Sequence, residues 1–251
     1  MYKISNVNFF IGKRLILKDL SFSIRQGEIF TIIGPNGSGK TTLLKLLTGF
    51  YKPSSGEILL DGIDIRMMTP KALSQKLSVI SQNVNIQFPF TCFEVVMMGR
   101  NPKLANNQKP SKRDMDVVIW AMEKTNTLQY WDRLITELSG GEKQRIMLAR
   151  TLAQETPYIL LDEAFSDMDM HYVIKSMKLL RELVEQKGVT VVNIVHDLNL
   201  VYHFSDSVLL LNGGKIERLG HKVEVMKKEN IEKTFKIRVE SIKGRGMLIL
   251  P

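Results

Sequence analysis

Apolar and polar positions along this chain follow two different periods, and the change from one to the other divides it. Short apolar runs bounded by turn residues fill the first third, at residues 4–10, 15–24, 28–33, 57–60 and 77–81, and predict strands. Residues 25–28 (Arg25-Gln26-Gly27-Glu28) read as a turn and Asp61-Gly62 as a hairpin turn. From about residue 83 to 155 helical spacing takes over, at 93–98, 114–124 and 141–154. Asn101-Pro102 and residues 106–111 separate those helices. Strand and helix then alternate again: strand 158–161, helix 170–186, strand 189–195, a short helix after Asp197, strand 207–211 and, past Asn212-Gly213-Gly214, residues 215–219. Val173, Met177, Leu180 and Val184 recur at helical spacing and are expected in the core. Such alternation predicts an α/β fold with a mostly parallel sheet covered on both faces. The expected organisation is one domain: an α/β core from residues 1–82 and 156–251, with residues 83–155 inserted as a helical lobe.

Composition narrows the class. With 44% hydrophobic and 24% charged residues in 251, the chain can bury a sizeable core and is not a disordered sequence. The net charge of +9 would suit an anionic partner, but the basic residues are scattered. The densest group, residues 222–233, is interleaved with Glu224, Glu229 and Glu232. A nucleic-acid partner is therefore not expected, and a basic face near anionic lipid fits better. Cys92 is the sole cysteine, which rules out an intrachain disulfide and is compatible with a reducing cytosol. The N-terminus lacks a signal-peptide pattern, and no apolar run reaches the ~18 residues of a spanning helix, so membrane association is expected to be peripheral.

Three stretches carry chemistry. Gly34, Pro35, Asn36, Gly37, Ser38, Gly39, Lys40, Thr41 and Thr42 fit the P-loop pattern G-x-x-x-x-G-K-[ST], after an apolar strand and before a Leu-rich helix. Glycines let backbone N–H groups converge on phosphate oxygens, and the helix N-terminus adds its positive end. Lys40 is expected to reach the β- and γ-phosphates, and the Thr41 hydroxyl to ligate Mg2+. The second stretch is the apolar strand 158–161 running into Asp162 and Glu163. Asp162 suits a magnesium ligand, and Glu163 a general base on the attacking water. The third is Leu138-Ser139-Gly140-Gly141-Glu142. Ser139 sits where an N-cap belongs, and the glycines open a second helix start to an anion.

Ordered together, these motifs resemble the ATP-binding-cassette (ABC) ATPases over nearly the whole chain. The resemblance implies a P-loop NTPase core with an N-terminal antiparallel β subdomain and a helical lobe. It also implies that Gln82 is the Q-loop glutamine near Mg2+ and the attacking water, that residues 138–142 are the signature motif, with Glu142 where many members have Gln, that Asp162 and Glu163 are the Walker B pair, and that His196 is the switch histidine on the γ-phosphate. ATP and Mg2+ are the implied ligands. A head-to-tail homodimer is implied, with each ATP between one P-loop and the other subunit's signature helix. Two departures stand out. The loop after Walker B reads Ala164-Phe165-Ser166-Asp167-Met168-Asp169, in which only Ser166 and Asp169 match the usual pattern. Where the family often stacks an aromatic ring on adenine, this chain has Ile11, with Phe10 beside it.

Residues 95–102, and residues 68–73 upstream of the Q-loop, are similar to importer ATPases for iron–siderophore, haem and cobalamin. That implies integral-membrane permease partners, a substrate-binding protein acting through them, and a place on the cytoplasmic face of the inner membrane. The segment 88–102 would be the coupling surface or, equally, buried core of the lobe. Two other readings stay open: an importer ATPase for a metal ion or molybdate, and a non-transport accessory of iron–sulfur cluster assembly.

Overall fold

Two antiparallel strands open the chain in the computed structural model, which describes residues 1–81, 86, 88–104, 108–242 and 246–250. The chain divides into two compact units, residues 1–69 with 183–251 and residues 70–182. The first half of the first unit holds β1 (Tyr2–Ile11), β2 (Arg14–Ile24), β3 (Ile29–Ile33), α1 (Lys40–Leu47), β4 (Ser55–Leu60) and β5 (Ile63–Asp64). The second unit holds α2 (Pro70–Lys76), β6 (Leu77–Ile80), α3 (Cys92–Met97), α4 (Lys112–Lys124), α5 (Gly140–Ala153), β7 (Tyr158–Asp162) and most of α6 (Met170–Lys187). The first unit then resumes with β8 (Thr190–Ile194), α7 (Leu198–Phe204), β9 (Ser207–Asn212), β10 (Lys215–His221), α8 (Lys222–Val225), α9 (Lys228–Phe235), β11 (Arg238–Ile242) and β12 (Gly246–Leu250).

Within the first unit, β2-β1-β4-β5 form an antiparallel sheet. Tyr2, Ile4, Val7 and Phe9 of β1 and Leu17, Leu20, Phe22 and Ile24 of β2 are buried, while polar neighbours such as Lys3 and Ser23 face out. That alternation is what a sheet wet on one side requires. β3 differs: all five of its residues are buried, and it runs parallel to both β8 and β9. A strand covered on both faces has no place for polar alternation, which explains why only Thr31 interrupts its apolar residues. β10 returns antiparallel to β9. Beneath them, Ile33, Val208 and Leu210 pack with Leu198 and Val201 of α7 and with Val225, Met226, Ile231, Val239 and Met247 of the C-terminal segment.

In the second unit β6 and β7 pair in parallel, Ile80 opposite Leu161. The segment 88–102 splits in character. Cys92, Val95, Val96, Gly99 and Arg100 are buried lobe core, whereas Phe88 and Phe90 stay exposed. Val173, Met177, Leu180 and Val184 of α6 are all buried, as their spacing predicts.

An ion-pair network fixes this lobe. Arg100, 3% exposed, donates from Nε to Asp114 Oδ1 at 2.9 Å and from Nη1 to the Ala153 carbonyl at 2.6 Å and to Glu155 Oε2 at 2.8 Å. Asp114 also accepts from the Ser111 hydroxyl and N–H, closing the N-cap of α4. The Ser111 hydroxyl first, then its N–H and Arg100, hold the Asp114 carboxyl down at about 2. A carboxylate depressed in the fold adds stability above its unfolded pKa of ~3.9 and loses it as pH falls through the folded value. Asp114→Ala is therefore expected to cost roughly 3 kcal/mol in urea unfolding at neutral pH, because it strips a buried guanidinium of one carboxylate. The gap between parent and variant should close as pH drops from about 4 to about 2. An equal gap at both ends would show that Asp114 contributes no charge-dependent stability.

Candidate active site

β3 delivers the chain to Gly34, whose φ is +154°. A Cβ there would stand 2.1 Å from the Leu211 carbonyl oxygen and 2.8 Å from Ser38 Oγ, so only glycine lets the loop leave beside β9. The Ser38 N–H closes a turn onto the Pro35 carbonyl at 3.1 Å, and the Ser38 carbonyl accepts the Gly214 N–H at 3.1 Å. Gly39 takes the N-cap position of α1 and leaves that helix start without a side-chain cap. Lys40 is 6% exposed and folds back on the loop, its Nζ donating to the Gly34 carbonyl at 2.9 Å and the Pro35 carbonyl at 3.2 Å. Ser38 Oγ is buried with no hydrogen-bond partner. A buried ammonium, an orphaned hydroxyl and an uncapped helix start on one loop form a cradle that a polyphosphate fits. Asn36 and Gly37 at the loop tip are exposed, and Thr41 and Thr42 are half-buried at the start of α1.

His196 lies on the adjacent strand's exit. Ile32 of β3 is in register with Ile194 of β8, so Gly34 and His196 leave two neighbouring parallel strands at the same edge. Ligands of open α/β sheets gather at that edge. His196 is exposed, and Asp197 caps α7 through Oδ1, which accepts the Asn199 N–H at 2.7 Å and the Leu200 N–H at 3.4 Å. At the far end of the first sheet Phe10 and Ile11 are both about half exposed.

In the second unit, Asp162 ends β7 and is 4% exposed, with the half-buried Glu163 next. Glu163 has φ of +50°, a left-handed backbone that a non-glycine residue adopts only under constraint. Its carbonyl accepts the Ser166 N–H at 3.3 Å. The three residues of the following loop that depart from the family pattern, Ala164, Phe165 and Met168, are all buried. The loop is also clamped by a glutamine that sequence reasoning passed over. Gln144 Oε1 accepts the Asp167 N–H at 3.1 Å, and its Nε2 donates to Asp167 Oδ2 at 3.2 Å and Ser166 Oγ at 3.4 Å. Gln82 lies outside the described residues.

Ser139 is the N-cap of α5, and Glu142 completes a capping box. Glu142 Oε2 accepts the Ser139 N–H and hydroxyl, each at 2.8 Å. The Ser139 N–H, then the Tyr130 and Ser139 hydroxyls, pull the Glu142 carboxyl down to about 2. The two glycines also have a packing reason, since a Cβ on Gly141 would sit 2.9 Å from the Asp167 carbonyl oxygen and one on Gly140 3.4 Å from Asp167 Cβ. Beside this helix start is an open cleft of about 450 Å3, walled by residues 139–142, Asp167, Tyr130, Arg145 and Tyr172. Arg145 lies 4.1 Å from the Tyr172 ring centroid, stacked on its face, and donates to the Asn126 carbonyl at 2.7 Å.

Among the described residues no three His, Cys, Asp or Glu side chains converge as a metal cage. Among the same residues no helix is long and apolar enough to cross a membrane.

Comparison with known proteins agrees with this geometry. The ABC transporter family profile matches residues 17–166. The petrobactin import ATP-binding protein of Bacillus anthracis is 35% identical over 244 residues, 97% of this chain and 90% of that protein. A metal-chelate type ABC transporter solved in an inward-facing conformation superposes with a TM-score of 0.84 at 27% identity, covering 100% of this chain and 97% of that one. An ATP-binding cassette solved as a dimer with ADP and phosphate, in a post-hydrolysis state, gives 0.79 at 30% identity over 88% of this chain and 99% of that one. The chain therefore belongs to the ABC transporter family, as an ATP-hydrolysing, ATP-binding cassette.

Proposed function

We propose that this cassette powers an importer for a metal chelate of the iron–siderophore, haem or cobalamin kind, and that the P-loop cradle carries the reading. Residues 34–42 would hold the triphosphate, with Lys40 leaving its loop carbonyls for the β- and γ-phosphates. Thr41, Gln82 and Asp162 would hold Mg2+. That ion, when bound, would neutralise phosphate charge and draw electron density from the γ-phosphoryl group. Glu163 would take a proton from the attacking water, and His196 would contact the γ-phosphate. Residues 139–142 of one copy would close over ATP held by the P-loop of the other, so that two helix starts share one terminal phosphate. Phosphate loss removes that shared charge and lets the copies part.

The relatives' names support the cargo class: one imports petrobactin and one neighbouring structure is of the metal-chelate type. Exposed Phe88 and Phe90, at the edge of a buried lobe segment, suit a contact with a permease helix. The chain would then sit on the cytoplasmic face of the inner membrane, held by permease subunits that receive cargo from a substrate-binding protein. Affinity purification from detergent-solubilised membranes is expected to bring down a polytopic permease. Recovery of soluble partners alone would favour a role in iron–sulfur assembly and overturn the importer reading.

A further inference from the structure

Helix α7 starts directly after the His196 turn, and its first residues are bonded to the C-terminal hairpin of β11 and β12. Asn199 Oδ1 accepts the Met247 N–H at 2.8 Å, while the Asn199 N–H donates to Asp197 Oδ1 at 2.7 Å. The approach is close. Gly246 has φ of +118°, and a Cβ on it would stand 2.3 Å from Asn199 Oδ1. Residues on both sides of the histidine reach a core that the hairpin also enters. Leu198 shares a core with Val239 and Met247, and Val195 packs against that core. His196 is exposed between the half-buried Val195 and Asp197.

We propose that Asn199 is a positioning residue for ATP hydrolysis, through which the C-terminal hairpin fixes the backbone that aims His196. The inference rests on the reading of His196 as the γ-phosphate contact. Asn199 lies one helical turn from the histidine and makes two bonds of opposite sense. Its N–H ties back to the residue after His196, and its side-chain oxygen ties forward to a hairpin that is itself locked by Val239 and Met247. The Val239 N–H is bonded in turn to Glu232 Oε1 of α9 at 2.9 Å. Loss of the side-chain bond would free the histidine turn without touching the P-loop. A displacement of an ångström or less at a γ-phosphate contact is enough to slow chemistry.

Steady-state ATPase assays on the full-length chain with saturating Mg2+ test this. Asn199→Leu is expected to lower kcat about tenfold and to leave KM and the affinity for ATP within about twofold. Asn199→Asp keeps an acceptor for the Met247 N–H and is expected to bring kcat back to within about twofold of the parent. In a His196→Ala background, Asn199→Leu is expected to add no further loss, because the two residues act as one unit. Gly246→Ala, which crowds the same contact from the hairpin side, should reproduce the kcat loss if Asn199→Leu fails to fold. Parallel losses of affinity and kcat, or losses that multiply with His196→Ala, would make the hairpin general scaffold and overturn the proposal. Undiminished turnover in His196→Ala would sink the histidine reading. A loss there beside an unchanged Asn199→Leu would sink the positioning role alone.

Discussion

Glu163→Gln is expected to bind Mg·ATP as the parent does, to lose at least about a hundredfold in turnover, and to run on gel filtration as a stable ATP-bound dimer. The amide matches the carboxylate in size and keeps an acceptor oxygen, but it cannot take a proton from water at neutral pH. Its geometry should survive the exchange. The bend at residue 163 is held by backbone, through the Ser166 N–H on the Glu163 carbonyl, and by the buried Ala164 and Phe165 that follow. Asp162 and the P-loop are untouched, so the contacts that bind phosphate persist while the step that removes the terminal phosphoryl group fails. The dimer is then caught with its shared charge in place. A variant that stays monomeric in ATP and turns over within about threefold of the parent would take Glu163 out of the chemistry.

Lys40→Ala should be nearly as severe, by a different route. ATP affinity is expected to fall by at least about tenfold and turnover by about a hundredfold, since the buried positive charge proposed to meet the phosphates is lost. Folding should suffer little. The ammonium bonds carbonyls of its own loop, Gly34 and Pro35, and each such bond is worth about 1 kcal/mol net. Thermal unfolding without nucleotide should therefore stay close to the parent, while the stabilisation that added ATP gives the parent should shrink. Unchanged turnover would dismiss the P-loop assignment. A collapse of the nucleotide-free fold would instead make Lys40 a structural tie.

The strands were legible because burial leaves a signature. β3 and β8, buried at every position, read as mostly apolar runs without alternation, broken only by Thr31, Thr190 and Asn193, while β1 and β2 alternate because one side of their sheet is wet. Residues 34–42, 139–142, 162 and 163 stand out in the sequence because the chemistry proposed for them needs fixed residue types at short spacing. Other parts were not. The C-terminal segment gave no elements in advance, because α9 spans only Lys228–Phe235 and buries little beyond Ile231 and Thr234, too few positions to set a period. The helix Pro70–Lys76 buries none of its side chains and has no apolar face to announce it. The left-handed turn at Glu163 has no sequence signal, since Glu is not a residue that seeks φ > 0. Gln144 and Asn199 are polar residues near helix starts, and their partners are distant in sequence, which a reading along the chain does not see. The S-x-x-E spacing from Ser139 to Glu142 carries a capping-box signal that reading Ser139 as a plain N-cap leaves unused.

The close passage of Leu211 over Gly34 bears on how this cassette can vary. With a carbonyl oxygen where the first side-chain carbon would go, every replacement at position 34 introduces a clash with main chain rather than with a rotatable group. No other amino acid lacks that carbon. A lineage carrying this chain thus has no neutral amino-acid replacement at that position: drift can reshape the tip at Asn36, which is exposed, but the exit from β3 stays glycine for as long as β9 lies alongside it.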